Sequence, residues 1–134
     1  MATVKLLQDH ELSPEAGAVF DEIKATRKSD VVNNFWRALA HDPKTLKRTW
    51  DSLREVMQAG ALDPKTKELI YIAVSVAHGC GYCIHSHTAA ARAKGMTDAE
   101  YAELLAVVGM AAETNRLVTA LGVPVDQAFL VDPD

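Results

Sequence analysis

The sequence predicts an all-α protein, and three observations carry that prediction. Alanine, leucine and valine are abundant while only 6% of residues are aromatic, a balance that favours packed helices over a sheet. Helix-start signals recur along the chain as Ser13-Pro14, Asp42-Pro43, Asp63-Pro64 and Thr97-x-x-Glu100. No long run alternates strictly between apolar and polar residues, as a half-buried strand does. At 134 residues the chain is expected to form a single domain, 1–134, with a core it can bury unaided.

Each element follows from local chemistry. Residues 1–12 form an unpatterned lead-in. Ser13 caps and Pro14 starts a first helix, and Val19, Phe20 and Ile23 give it a 3–4 spacing to about Lys28. The stripe Val31, Val32, Phe35, Trp36, Leu39 and Ala40 predicts a second helix, which Ser29-Asp30 can cap and whose start Asn33-Asn34 leaves open. Asp42-Pro43 opens a third, with Leu46, Trp50, Leu53 and Met57 on one side, charged residues mostly on the other, and Gly60 as its end. Phe35, Trp36 and Trp50 are expected in the core. Asp63-Pro64 opens a fourth helix, Pro64 to His78, that is apolar nearly all round. Such a helix belongs in a core or in an interface between subunits. Gly79 and Gly81 interrupt the pattern, an alanine-rich helix from Cys83 to Lys94 ends at Gly95, and a long last helix is closed by Gly122. An irregular tail begins at Pro124.

Composition narrows the function. The net charge is −4 with both signs interspersed and no Lys/Arg cluster, which counts against nucleic acid and anionic membrane surfaces as partners. No apolar run is expected to reach the ~18 residues of a membrane span. The opening MATVKLLQDHEL lacks the basic-then-apolar form of a secretory signal, so a soluble, cytoplasmic protein is expected. Two cysteines in C-x-x-C, in a chain without an export signal, favour redox or metal chemistry over a structural disulfide framework.

The reactive residues concentrate in Glu68 to Ala93, ELIYIAVSVAHGCGYCIHSHTAAARA. It holds Cys80 and Cys83, together with His78, His85 and His87. A thiol titrates near ~8.5, and a helix N-terminus lowers that value by offering unpaired N–H groups and a favourable dipole. Both cysteines are expected at such a terminus, one to attack and the other to resolve the adduct as a disulfide. His87 lies four residues after Cys83, one turn along the same face, and can exchange a proton with its thiol. Glu68 precedes Cys80 by 12 residues, about 18 Å on one straight helix. If the chain reverses near His78-Gly79, Glu68 and His87 meet, and the carboxylate orients the imidazole. A neighbouring subunit is the other source of such a carboxylate.

Plainer readings stand beside these. The cysteines can be two buried thiols without redox function. Cys80, Cys83, His85 and His87 can be read as a zinc set, although histidines two apart diverge on a helix, so no metal is predicted. His78 reads as a satisfied core histidine, and Glu68 as a favourable charge at a helix start.

The pattern Glu68, Cys80-Gly81-Tyr82-Cys83, His87 resembles the signature of the carboxymuconolactone decarboxylase superfamily in its alkylhydroperoxidase D (AhpD-like) branch. The flanking NNFWRALAHDPKTLKRTWDSLREVM and ELLAVVGMAAETNRLVTALGV are similar to the helices around that core, so the resemblance covers roughly residues 31–123. It implies an AhpD-like helical domain of about six helices built around a helix–CxxC–helix core, assembled as a trimer or hexamer. It also implies a cysteine-based peroxidase or disulfide reductase in antioxidant defence. Carried over by position, Cys83 attacks the peroxide and becomes a sulfenic acid. Cys80 gives a proton and closes the Cys80–Cys83 disulfide, and Glu68 and His87 form a proton relay. No bound cofactor is implied, only a hydroperoxide substrate and an external dithiol reductant such as a dihydrolipoyl protein. One departure is Tyr82, where the family's best-known peroxidase carries a histidine; tyrosine is a poor base near pH 7. Tyr82 and His85 are accessory candidates. The rival functions are a lactone decarboxylase on the same fold and a non-enzymatic oligomeric module with a redox-sensitive brace. C-G-Y-C argues against the former, since the decarboxylase branch uses no cysteine pair.

Overall fold

The computed structural model describes residues 1–130 and, among them, contains six α-helices, two short 3₁₀ turns and no strand. The expected all-α architecture with a helix–CxxC–helix core is the one observed. The chain divides into two compact units, residues 1–58 and residues 59 onward.

The first unit holds α1 (Pro14–Arg27), α2 (Asn34–Leu39) and α3 (Pro43–Met57). Ser13 Oγ accepts the Ala16 N–H at 3.2 Å, and Asp42 Oδ1 accepts those of Lys44 and Thr45 at 3.1 and 3.2 Å. Each satisfies donors that the first helical turn leaves open. The lead-in is not wholly unpatterned, because a 3₁₀ turn forms at Asp9–Glu11 behind a reciprocal Gln8–Glu11 cap. α2 starts with Asn33 as N-cap and not at Ser29-Asp30. Ser29 Oγ instead takes the N–H of Val31 at 3.1 Å, a local turn that competes with helix initiation. α3 ends at Gln58, which is extended, two residues before Gly60. Phe20, Ile23, Trp36, Leu46 and Trp50 form the centre of this unit's core, with the two indoles edge to face at 5.6 Å. Phe35 is 42% exposed and lies outside that core, contrary to expectation; its neighbour Trp36 occupies the inward position.

The second unit holds α4 (Pro64–His78), α5 (Gly81–Ala93) and α6 (Asp98–Leu121). Asp63 caps α4 through the Thr66 N–H at 3.0 Å, and Thr97 and Glu100 form the expected capping box of α6. Between α4 and α5 the chain reverses at Gly79, whose left-handed φ of 70° a side chain would resist. The Cys80 N–H closes that turn on the Ser75 carbonyl at 2.9 Å. α4 and α5 then pack along each other, with Ile72, Ala91 and Met96 buried and Leu69, Val76, Tyr101 and Leu104 around them.

Two helices stand out for their exposure. α4 is apolar nearly all round but is not buried within its own chain, since Ile70 and Val74 are about half exposed. α6 buries no residue, and in length and composition it suffices to cross a membrane, contrary to the expectation that no run does. Its charges cluster in the first turns and at Glu113 and Arg116, which leaves a long apolar stretch that the chain does not cover. The tail from Pro124 contains a 3₁₀ turn at Gln127–Phe129; its residues 131–134 lie outside the described residues.

Candidate active site

The reversal at Gly79 makes Cys80 the N-cap of α5, and Cys83 its third helical residue. The helix begins two residues before the expected Cys83. The two cysteines are joined as a disulfide, with Cα atoms 5.4 Å apart. Cys80 Sγ also accepts the Cys83 N–H at 3.3 Å, so the sulfur that meets the helix terminus directly is that of Cys80. Both cysteines are partly exposed.

The antiparallel run of α4 and α5 brings Glu68 and His87 together. His87 Nδ1 lies 2.7 Å from Glu68 Oε2. A carboxylate has no proton to give, so Nδ1–H is the donor and Nε2 is left as the basic nitrogen. The carboxylate comes from the same chain. Glu68 is 5% exposed, and burying a charge is costly unless it is paired. Its second oxygen, Oε1, accepts a hydrogen bond from Lys94 Nζ at 3.0 Å. Burial is the largest single influence on the Glu68 carboxyl and raises its pKa. The hydrogen bonds and charges of His87 and Lys94 outweigh it, so Glu68 titrates below its ordinary value and stays ionised. It is therefore more than a charge at a helix start.

The His87 ring is fixed on one face as well. Tyr71 stacks on it with centroids 3.6 Å apart and planes 19° from parallel. Tyr71 and Lys94 were not anticipated from the sequence. Signals existed: Tyr71 lies three residues beyond Glu68 on α4, and Lys94 seven beyond His87, so each shares a helical face with a named residue. Tyr82 is 47% exposed and His85 is exposed. His78 is exposed too, at the last position of α4, and is no core histidine. Among the described residues, no three His, Cys, Asp or Glu side chains are grouped to hold a metal. The suggested zinc set is broken up in this state, because both sulfurs are spent in the disulfide.

A model of the carboxymuconolactone decarboxylase family matches residues 43–126, well over half of the chain. The chain belongs to the carboxymuconolactone decarboxylase family. Glu68, Cys80, Cys83 and His87 all fall inside the matched range. Among solved structures, the alkylhydroperoxidase AhpD core from Rhodospirillum rubrum is 65% identical, with a TM-score of 0.94 over 98% of this chain and 99% of that one. Within the carboxymuconolactone decarboxylase family the chain is thus of the AhpD-like branch. An uncharacterized protein of the cox locus of Paracoccus denitrificans is 40% identical over 50 residues, which are 37% of this chain and 45% of that protein. The match to that protein spans less than half of its length. Family and fold are together those of the AhpD and carboxymuconolactone decarboxylase type.

Proposed function

We propose that the chain is a thiol-dependent peroxidase or disulfide reductase acting in antioxidant defence, with Cys80 and Cys83 as its redox pair. The observation that supports this best is a partly exposed Cys80–Cys83 disulfide opening the helix that carries His87, itself bonded to the buried Glu68. In the reduced enzyme the Cys83 thiolate attacks a hydroperoxide. An S–O bond forms, the O–O bond breaks, and the alcohol leaves with a proton supplied by Cys80 or by His87 Nε2. Cys80 then displaces the hydroxyl of the sulfenic acid and forms the disulfide, and the hydroxyl leaves as water with whichever proton remains, that of Cys80 or the one His87 Nε2 took from Cys83. An external dithiol, such as a dihydrolipoyl protein, returns two electrons and two protons and is itself oxidised. Glu68 keeps the His87 proton on Nδ1, so Nε2 alternately takes and gives the transferred proton.

The working unit in this reading is a homo-oligomer, a trimer or hexamer, in the cytoplasm. The exposed apolar residues of α4 and α6, among them Ile70, Val74, Val107 and Met110, fit contact with further copies. The test is thiol counting on the reduced protein with and without one equivalent of an alkyl hydroperoxide. Loss of two thiols per chain, with no mass adduct and release of one alcohol, is expected. Unchanged thiols removes the peroxidase reading. Full turnover of a carboxylated lactone by a Cys80→Ser, Cys83→Ser protein replaces it with the decarboxylase one.

A further inference from the structure

We infer that Lys94 is a positioning residue that favours the neutral form of the His87 imidazole, by sharing the Glu68 carboxylate with it. This role rests on the relay proposed above. Glu68 divides its two oxygens between two donors of one helix and its C-cap: Oε2 to His87 Nδ1 at 2.7 Å and Oε1 to Lys94 Nζ at 3.0 Å. His87 lies within α5 and Lys94 is its C-cap. Their spacing of seven residues is nearly two full turns, so the two side chains leave the same face about 10 Å apart. At the register position between them stands Ala91, fully buried and offering only a methyl group. The Glu68 side chain, 7% exposed, bridges that gap from α4.

The charges explain what the bridge does. A buried carboxylate with one imidazole as its sole partner favours the imidazolium strongly, and a relay group held permanently charged can no longer accept a proton. Lys94 carries a fixed positive charge on the same carboxylate. It keeps Glu68 ionised despite burial, so Nδ1–H always has its acceptor. It also opposes a second positive charge on the same carboxylate, which favours the neutral imidazole with Nε2 open. The other groups around His87 do not duplicate this. From α4, Tyr71 stacks on the ring and carries no charge at neutral pH. On α5, Cys80 and Cys83 are uncharged while joined. From α6, Glu100 is engaged by Lys65 at 2.8 Å, and Tyr101 lies under the Arg92 guanidinium at 5.7 Å.

The experiment is an NMR titration of the His87 imidazole in the full-length disulfide form, for the unmodified protein, Lys94→Met and Lys94→Arg. It needs no peroxide, so it reads Lys94 independently of the proposed activity. Lys94→Met should move the midpoint to more alkaline pH by on the order of one unit, and Lys94→Arg should restore most of it. If Lys94→Met loses helicity by circular dichroism, Lys94→Gln is read in the same way. A midpoint that stays in place or moves to acid pH overturns the role. So does an alkaline shift that Lys94→Arg fails to reverse, because packing and not charge would then be at issue. An alkaline shift with an unchanged rate of thiol oxidation supports the role of Lys94 and counts against the relay.

Discussion

Among the described residues, the first 58 bury nine apolar side chains in one cluster with two indoles near its centre, whereas residues 59 onward bury three. The second unit uses its interior differently. The two buried polar residues, Glu68 and Ser75, are both on α4, and the Glu68 charge is compensated by His87 and Lys94. Its longest helix, α6, buries nothing. A dry aromatic core tolerates no chemistry but contributes stability through packing and transfer from water. A paired charge in a half-covered helix pair contributes little stability of its own, yet it holds the His87 imidazole in one tautomer. The comparison teaches that the buried apolar core and the paired buried charge are segregated along this chain, and that the part holding the charge leaves apolar faces of α4 and α6 exposed.

The largest expected effect lies in the reactive unit. His87→Ala should slow peroxide-driven disulfide formation by ~10²–10⁴-fold, the usual worth of a positioned acid–base group. Glu68→Gln should slow it less, because an amide oxygen still accepts the Nδ1–H but no longer supplies charge. The double variant should match His87→Ala alone, since the two act as a unit. The measurement is the second-order rate of disulfide formation at several pH values, with oligomeric state checked for each variant. Unchanged rates in both single variants would remove the relay and leave C-G-Y-C a redox pair unaided. Denaturation midpoints of these variants should move far less than their rates, which is what segregation means.

Much of this division was legible before any coordinates. Four of the six helices start where Ser-Pro, Asp-Pro or Thr-x-x-Glu places them, because caps are local and depend on few residues. The Glu68–His87 contact was legible as well, since a reversal at Gly79 leaves Glu68 eleven residues before the turn and His87 eight after it. Contacts that depend on how one helix rotates against another were not. Tyr71 on an apolar helix reads as core, and Lys94 at a helix end reads as a complement to the dipole. Their partners across the α4–α5 pair become visible only in three dimensions. The exposure of α6 was hidden for a related reason: an apolar helix has the same composition whether its own chain or another covers it.

An effect of intermediate size tests the other side of the comparison. Trp36→Ala removes a side chain that is 1% exposed and should cost ~3–5 kcal/mol of stability in urea titration. Val107 on α6 is 67% exposed, so Val107→Asp should leave the stability of dilute protein within ~0.5 kcal/mol. The same change should weaken assembly, seen by sedimentation at micromolar concentration, and remove any dependence of stability on protein concentration. A monomer in the unmodified protein would remove the association argument. Equal destabilisation by Trp36→Ala and Val107→Asp at every concentration would erase the contrast between the units.

The smallest effect concerns the single buried charge of the reactive unit. Burial, the largest influence on Glu68, raises its pKa, while the His87 and Lys94 hydrogen bonds and charges lower it by more, leaving it below its ordinary value of 4.5. The folded protein therefore binds this proton less tightly than the unfolded chain does. Glu68 contributes stability that is fully present above the unfolded carboxyl pKa of about 4.3 and is lost as pH falls through the lower folded value. Because the net shift is a difference between opposing influences, the contribution should be smaller than that of Trp36. Urea midpoints from about pH 3 to about pH 7 should decline on the acid side in the unmodified protein and decline less steeply in Glu68→Gln. The neutral plateau of Glu68→Gln should be lower, since His87 and Lys94 lose their shared counter-charge. Asp42 and Asp63 also titrate below the ordinary range, held there first by the hydroxyls of Thr45 and Thr66, and both cap helices at the surface. Parallel acid limbs in the two proteins would assign the acid sensitivity to the paired and capping carboxylates outside this site, Asp9, Glu11 and Glu100 among them. A flattened limb in Glu68→Gln assigns it to the buried carboxylate that His87 and Lys94 share.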